Sequence, residues 1–66
     1  MQILLNGETT TIEDGLTVQA LLQQLELVGR RIAVEVNEEN VPRSEHDSHQ
    51  LAADDRVEIV HAIGGG

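Results

Sequence analysis

Gly64, Gly65 and Gly66 follow directly on a β-forming run, Arg56 to Ile63, and have the clearest chemical use in the sequence. Glycine costs backbone entropy to order and contributes no packing. A glycine tail is thin and flexible, so it can thread a narrow cleft. It also leaves the carboxyl group on Gly66 without a neighbouring side chain. A carboxylate is a poor electrophile until it is joined to a good leaving group such as AMP. A sulfur nucleophile can then displace the AMP, in the general manner of covalent group transfer. In such a scheme the chain is a substrate and not a catalyst; a frayed terminus is the bland alternative.

Other side chains offer weaker chemistry. His46 and His49 stand three apart with Asp47 between them. That spacing suits a metal only with further ligands, and the sequence supplies none, so a solvated polar loop is expected. His61 precedes the tail, where it either meets a partner or finishes the strand. Glu35, Glu58, Asp54 and Asp55 form no acid–base pair and read as a solvated face.

The elements that must position the tail follow from periodicity. Met1 to Asn6 alternates as a strand, with Met1, Ile3 and Leu5 on one face. Asn6-Gly7 is a strong signal for a type I′ hairpin, and Glu8 to Glu13 returns. After the Asp14-Gly15 turn, Thr17 caps a helix carrying Val18, Leu21, Leu22, Leu25 and Val28. That helix is expected to run about three turns and end near Gly29. Ile32 to Asn37 is a third strand, followed by a turn at Glu38-Glu39 and a short edge strand, Asn40 to Arg43, demoted by Pro42. Ser44 and Asp47 are placed to cap one helical turn. Asp54-Asp55 turns into the last strand, Arg56 to Ile63, with Val57 and Ile59 facing one way and Glu58, Val60 and Ala62 the other. The expectation is an α+β fold in which one helix covers one face of a mixed four- to five-stranded sheet. Residues 1–63 form the domain and 64–66 a flexible tail. Leu4, Val60 and Ala62 share the face away from the helix, an apolar patch that is the candidate docking surface.

Composition narrows the function classes. At 66 residues the chain is one domain, and one this small buries only about 60% of its unfolded surface. Room for a core and a deep substrate pocket together is lacking. There is no Phe, Trp or Tyr, so the core is aliphatic, and no Cys, so disulfides, thiolate metal sites and a cysteine nucleophile are excluded. The net charge is −8 and the four cations are Arg30, Arg31, Arg43 and Arg56. That balance argues against nucleic acid and favours a basic partner surface. The apolar run Ile3 to Leu5 is far too short for a leader or a membrane span. A soluble, cytoplasmic monomer is expected.

The chain resembles the thiamine-biosynthesis sulfur carrier (ThiS) family of ubiquitin-like β-grasp proteins. The resemblance rests on Met1-Gln2-Ile3-Leu4-Leu5-Asn6-Gly7, Ala33-Val34-Glu35-Val36-Asn37, Val41-Pro42-Arg43 and, above all, Arg56-Val57-Glu58-Ile59-Val60-His61-Ala62-Ile63-Gly64-Gly65-Gly66. It implies a β-grasp fold with the first and last strands parallel at the centre of the sheet. It further implies that an adenylating (ThiF-type) enzyme uses ATP to activate the carboxylate of Gly66, with no cofactor bound by the carrier. Sulfur from a cysteine-derived persulfide then makes a thiocarboxylate, which supplies thiazole synthase (ThiG-type). Gly65 and Gly66 carry over as the family's terminal pair; Gly64, Ile63, Ala62, Val60 and Leu4 are expected to dock or thread. Asp54 stands where the family often has Gly, and Asn40 where an apolar residue is common. A molybdopterin-type carrier and a ubiquitin-like modifier share the fold and the tail. The first tends to be longer and to carry aromatics; for the second, the absence of Lys rules out lysine-linked chains of this protein with itself.

Overall fold

The computed structural model describes residues 1–61. Ala62, Ile63 and the glycine tail 64–66 lie outside the described residues. Strand β1 (Gln2–Leu5) turns into β2 (Glu8–Thr11); α1 (Val18–Gln24) follows, then β3 (Ile32–Val36), β4 (Glu39–Val41), a 3-10 turn (Arg43–Glu45) and β5 (Arg56–His61). The sheet order is β2-β1-β5-β3-β4. β1 and β5 are parallel, and the other pairs are antiparallel. The expected mixed sheet with one helix is therefore present, with all five strands in one sheet. One apolar face of the sheet and the buried side of α1 enclose the core, in which Ile3, Val18, Leu21, Val34 and Val57 are the largest fully buried side chains.

Local chemistry sets the turns. Asn6 and Gly7 both take positive φ (48° and 84°), and Leu5 pairs with Glu8, which closes a two-residue hairpin of the expected kind. β3 and β4 are joined the same way, but through Asn37 and Glu38 (φ 52° and 70°), with Glu39 already paired to Val36. The expected turn at Glu38-Glu39 was one residue late, because Asn37 tolerates the left-handed conformation and so starts the turn.

The helix is shorter than the spacing of its apolar residues predicts. Thr17 caps it as expected, its Oγ1 accepting from the Ala20 N–H at 3.1 Å. It then stops at Gln24, about two turns long. The Leu27 N–H bonds the Leu22 carbonyl (2.8 Å) and the Glu26 N–H bonds the Gln23 carbonyl (3.1 Å), with Glu26 at φ 59°. That is a Schellman closure, and Leu27 packs back on the core containing Leu22. Val28, expected to extend the buried stripe, is instead 51% exposed. Glu26 occupies the position that favours glycine. We expect Glu26→Gly to raise stability by about 0.5–1 kcal/mol, measured by urea denaturation.

Candidate functional site

β5 is the strand that leads to the tail, and the fold places it at the centre of the sheet. Its ladder to β3 runs from Val36↔Val57 to Ile32↔His61, so β3 supports it up to the last described residue. Its ladder to β1 covers only Leu4↔Arg56 and Leu5↔Val57. Beyond that point Asn6 takes over. Its backbone N–H bonds the Val57 carbonyl (2.8 Å), and its side-chain Oδ1 accepts from the Ile59 N–H (2.8 Å). Asn37 does the same from the other side: its N–H bonds the Arg56 carbonyl (2.8 Å), and its Oδ1 accepts from the Arg56 N–H (2.9 Å). Each hairpin asparagine thus makes a turn and also grips the delivery strand. Sequence reading put Asn6 at the first hairpin and Asn37 at the end of the third strand, and gave neither a grip on β5. Their second role joins positions 53 and 19 residues apart, and local patterns carry no such signal.

Asn6→Ala should leave the part-buried Ile59 N–H without an acceptor, a loss of about 1–3 kcal/mol. Amide exchange should quicken most at Ile59 to His61. Asn6→Asp keeps the acceptor and should retain most of the stability.

The outer face of the sheet holds the two docking residues that fall within the described part. Leu4 is 38% exposed and Val60 58% exposed. Val60 pairs with Ala33, which adds to the apolar strip. Glu35 and Glu58 lie directly opposite each other on the same face, both exposed. Like charges so placed cost up to about 1 kcal/mol in the isolated domain. Arg56, also on this face, pairs with Glu38 at 3.2 Å, both largely exposed, a contact that contributes little. The face is apolar at Leu4 and Val60 and acidic between them. The other expected docking and threading residues, Ala62, Ile63, Gly64, Gly65 and Gly66, lie outside the described residues.

The polar residues regroup. His46 is not part of a solvated loop: it is 6% exposed, and its Nε2–H donates to the Val41 carbonyl at 3.0 Å. The ring bond ties the end of the 3-10 turn to β4, and the His46 carbonyl, which receives the Gln19 N–H (2.8 Å), ties it to α1. The expected Ser44–Asp47 cap does not form; the turn starts after Pro42 with no side-chain cap. Among the described residues no three His, Cys, Asp or Glu side chains gather as a metal site. Asp55, half-buried on its solvated face, closes its turn, its Oδ2 accepting from the Ala52 N–H (2.8 Å) and its Oδ1 from Asn37 Nδ2 (3.0 Å). Asp54 sits at φ 69°, the conformation in which a glycine would be unstrained. Asn40 is exposed opposite Glu35, so its polarity costs the core nothing. His61 is exposed at the end of β5.

Residues 3–66 match the model of the ThiS family. The chain belongs to that family. The ThiS sulfur carrier protein of Escherichia coli is 33% identical over the full length of both chains. A thiazole synthase of Magnetococcus marinus is 42% identical over all 66 residues, which make up 20% of that protein. This ThiS-family chain therefore spans about a fifth of the thiazole synthase relatives it matches. The crystal structure of a ThiS thiamine biosynthesis protein from Geobacter metallireducens superposes with a TM-score of 0.88 at 30% identity, covering all of both chains. The fold is thus the β-grasp of the ThiS proteins. No helix among the described residues is long and apolar enough to cross a membrane.

Proposed function

We propose that this ThiS-family protein carries sulfur as a thiocarboxylate on Gly66. A carboxylate oxygen of Gly66 attacks the α-phosphorus of ATP in an adenylating partner, and pyrophosphate leaves. A cysteine-derived persulfide then attacks the acyl carbon, AMP leaves, and thiol cleavage of the S–S bond releases the thiocarboxylate. Thiazole synthase in the cytoplasm accepts that sulfur. The observation that carries this reading is the position of β5: the strand running toward Gly66 is central, with a neighbour on each side and an asparagine grip from each hairpin. A strand so fixed gives its partner a constant starting point from which to receive the carboxyl group. The thiazole synthase relatives, which contain a domain like this one within a longer chain, support the choice of acceptor.

Intact-mass measurement of the protein, co-expressed with a thiamine-pathway activating enzyme and a sulfur donor, tests the proposal. A species with one oxygen replaced by sulfur is expected. Only unmodified protein under those conditions would overturn it.

The outer face should serve docking. Val60→Asp is expected to weaken binding to the adenylating enzyme at least about tenfold, while costing the isolated domain no more than about 1 kcal/mol. Titration calorimetry and a thermal melt separate the two effects.

A further inference from the structure

Three of the four cations of this strongly acidic chain, Arg30, Arg31 and Arg43, lie on the segments that flank β3 and β4 at one end of the sheet. A recess of about 290 Å³ opens there, with Leu22, Leu27, Val28 and Ile32 as its apolar lining and Arg30 and Arg43 on its rim. The ion pairs among the described residues are Met1–Asp14 and Arg56–Glu38, so neither rim arginine belongs to one. Buried His46 also lines the recess, and its bond to the Val41 carbonyl fixes that wall. The site is therefore formed before anything binds.

We propose that this recess docks an acidic–aliphatic segment of the thiazole synthase that receives the tail. A carboxylate side chain of the synthase would reach Arg30 and Arg43, while an adjacent aliphatic side chain enters beside Leu27, Val28 and Ile32. Three observations point to a protein partner that takes the tail, and the thiazole synthase relatives, which carry a domain like this one in their own chain, favour the synthase. Small-molecule pockets usually run from about 300 to 1,000 Å³ and enclose most of their ligand. The recess sits at the bottom of that range and does not enclose its contents, since Val28 in its lining is half exposed, which suits one or two side chains of a protein partner. Its cations complement an acidic group, the reverse of the outer face with its Glu35–Glu58 pair. Finally, Ile32 in its wall pairs with His61, so the recess lies where β5 passes the chain on toward the tail. A synthase that takes the tail must lie against that end. The inference rests on the proposed function and adds a second contact, on the opposite side of the sheet from Leu4 and Val60.

The test measures affinity of the full chain for thiazole synthase at low and high salt, using wild type, Arg30→Gln/Arg43→Gln and Arg30→Glu/Arg43→Glu. The glutamate pair should weaken binding at least about tenfold at low salt, mainly through slower association, and the glutamine pair less. The difference should shrink at high salt. A thermal melt checks folding, and if the glutamate pair fails to fold the glutamine pair decides. Equal affinities at both salt levels would overturn the recess as a docking site while leaving the carrier function standing. Saturable binding of inorganic phosphate at the recess, with synthase affinity unchanged in the variants, would overturn it in favour of a small-anion site. No binding of wild type to the synthase would overturn both readings.

Discussion

Removal of Gly66 alone should abolish sulfur transfer while leaving the fold intact. Each residue of extended chain spans about 3.3–3.6 Å, so this truncation draws the terminal carboxyl group back by that distance. Reacting groups must meet in near-attack geometry, and a displacement of about 1 Å already costs around 100-fold in rate. The expected loss is therefore more than about 100-fold in ATP–pyrophosphate exchange with the adenylating enzyme. The core is built from residues 3 to 59, so the melting temperature should not move. Retention of exchange activity by the truncated protein would show that the carboxylate of Gly66 is not the activated group. Because the variant stays folded, its failure cannot be ascribed to lost structure.

The second large effect is on stability. Leu21 is 2% exposed, in the middle of α1, and it holds the helix against the sheet together with Val18 and Leu22. Leu21→Ala removes buried methyl groups and leaves a cavity, a loss of about 3 kcal/mol. At about 0.05–0.15 kcal/mol per residue, a chain of this length has only about 3–10 kcal/mol in total. Without aromatic rings to spread the burial, the core has few large side chains to share the loss. The melting temperature should fall by roughly 12–24 °C, at about 4–8 °C per kcal/mol for a domain of this size. Calorimetry measures this directly. A fall of only a few degrees would mean that the helix contributes little to the core.

These two changes separate the protein's two tasks. In the proposed function, one part of the chain is a small aliphatic core that holds β5, and the other is the carboxyl group to which β5 leads. Charge is distributed accordingly. The outer face presents Leu4 and Val60 around an uncompensated pair of glutamates, and the far end of the sheet presents arginines around an apolar recess. Repulsion that costs the isolated domain stability can be relieved by a basic partner surface.

The order of elements, the Asn6-Gly7 hairpin, the Thr17 cap and the faces of β1, β3 and β5 were all legible in the sequence. Each depends on residues within a few positions of one another, where side-chain period and turn chemistry act directly. The reading of the glycine tail rests on the sequence alone, since a run of glycines has few structural uses and these residues lie outside the described part.

Tertiary structure decided the rest. The apolar spacing through Leu25 and Val28 predicts a longer helix, but Leu27 turns inward to the core and the chain closes at Glu26. His46 looked like a loop residue until β4 and the helix start were brought on either side of it. The grips of Asn6 and Asn37 on β5, and the gathering of Arg30 and Arg43 at one recess, join residues far apart in the chain. Sequence pattern determines what a segment can form with its own neighbours; only packing determines which distant backbone group a side chain will meet.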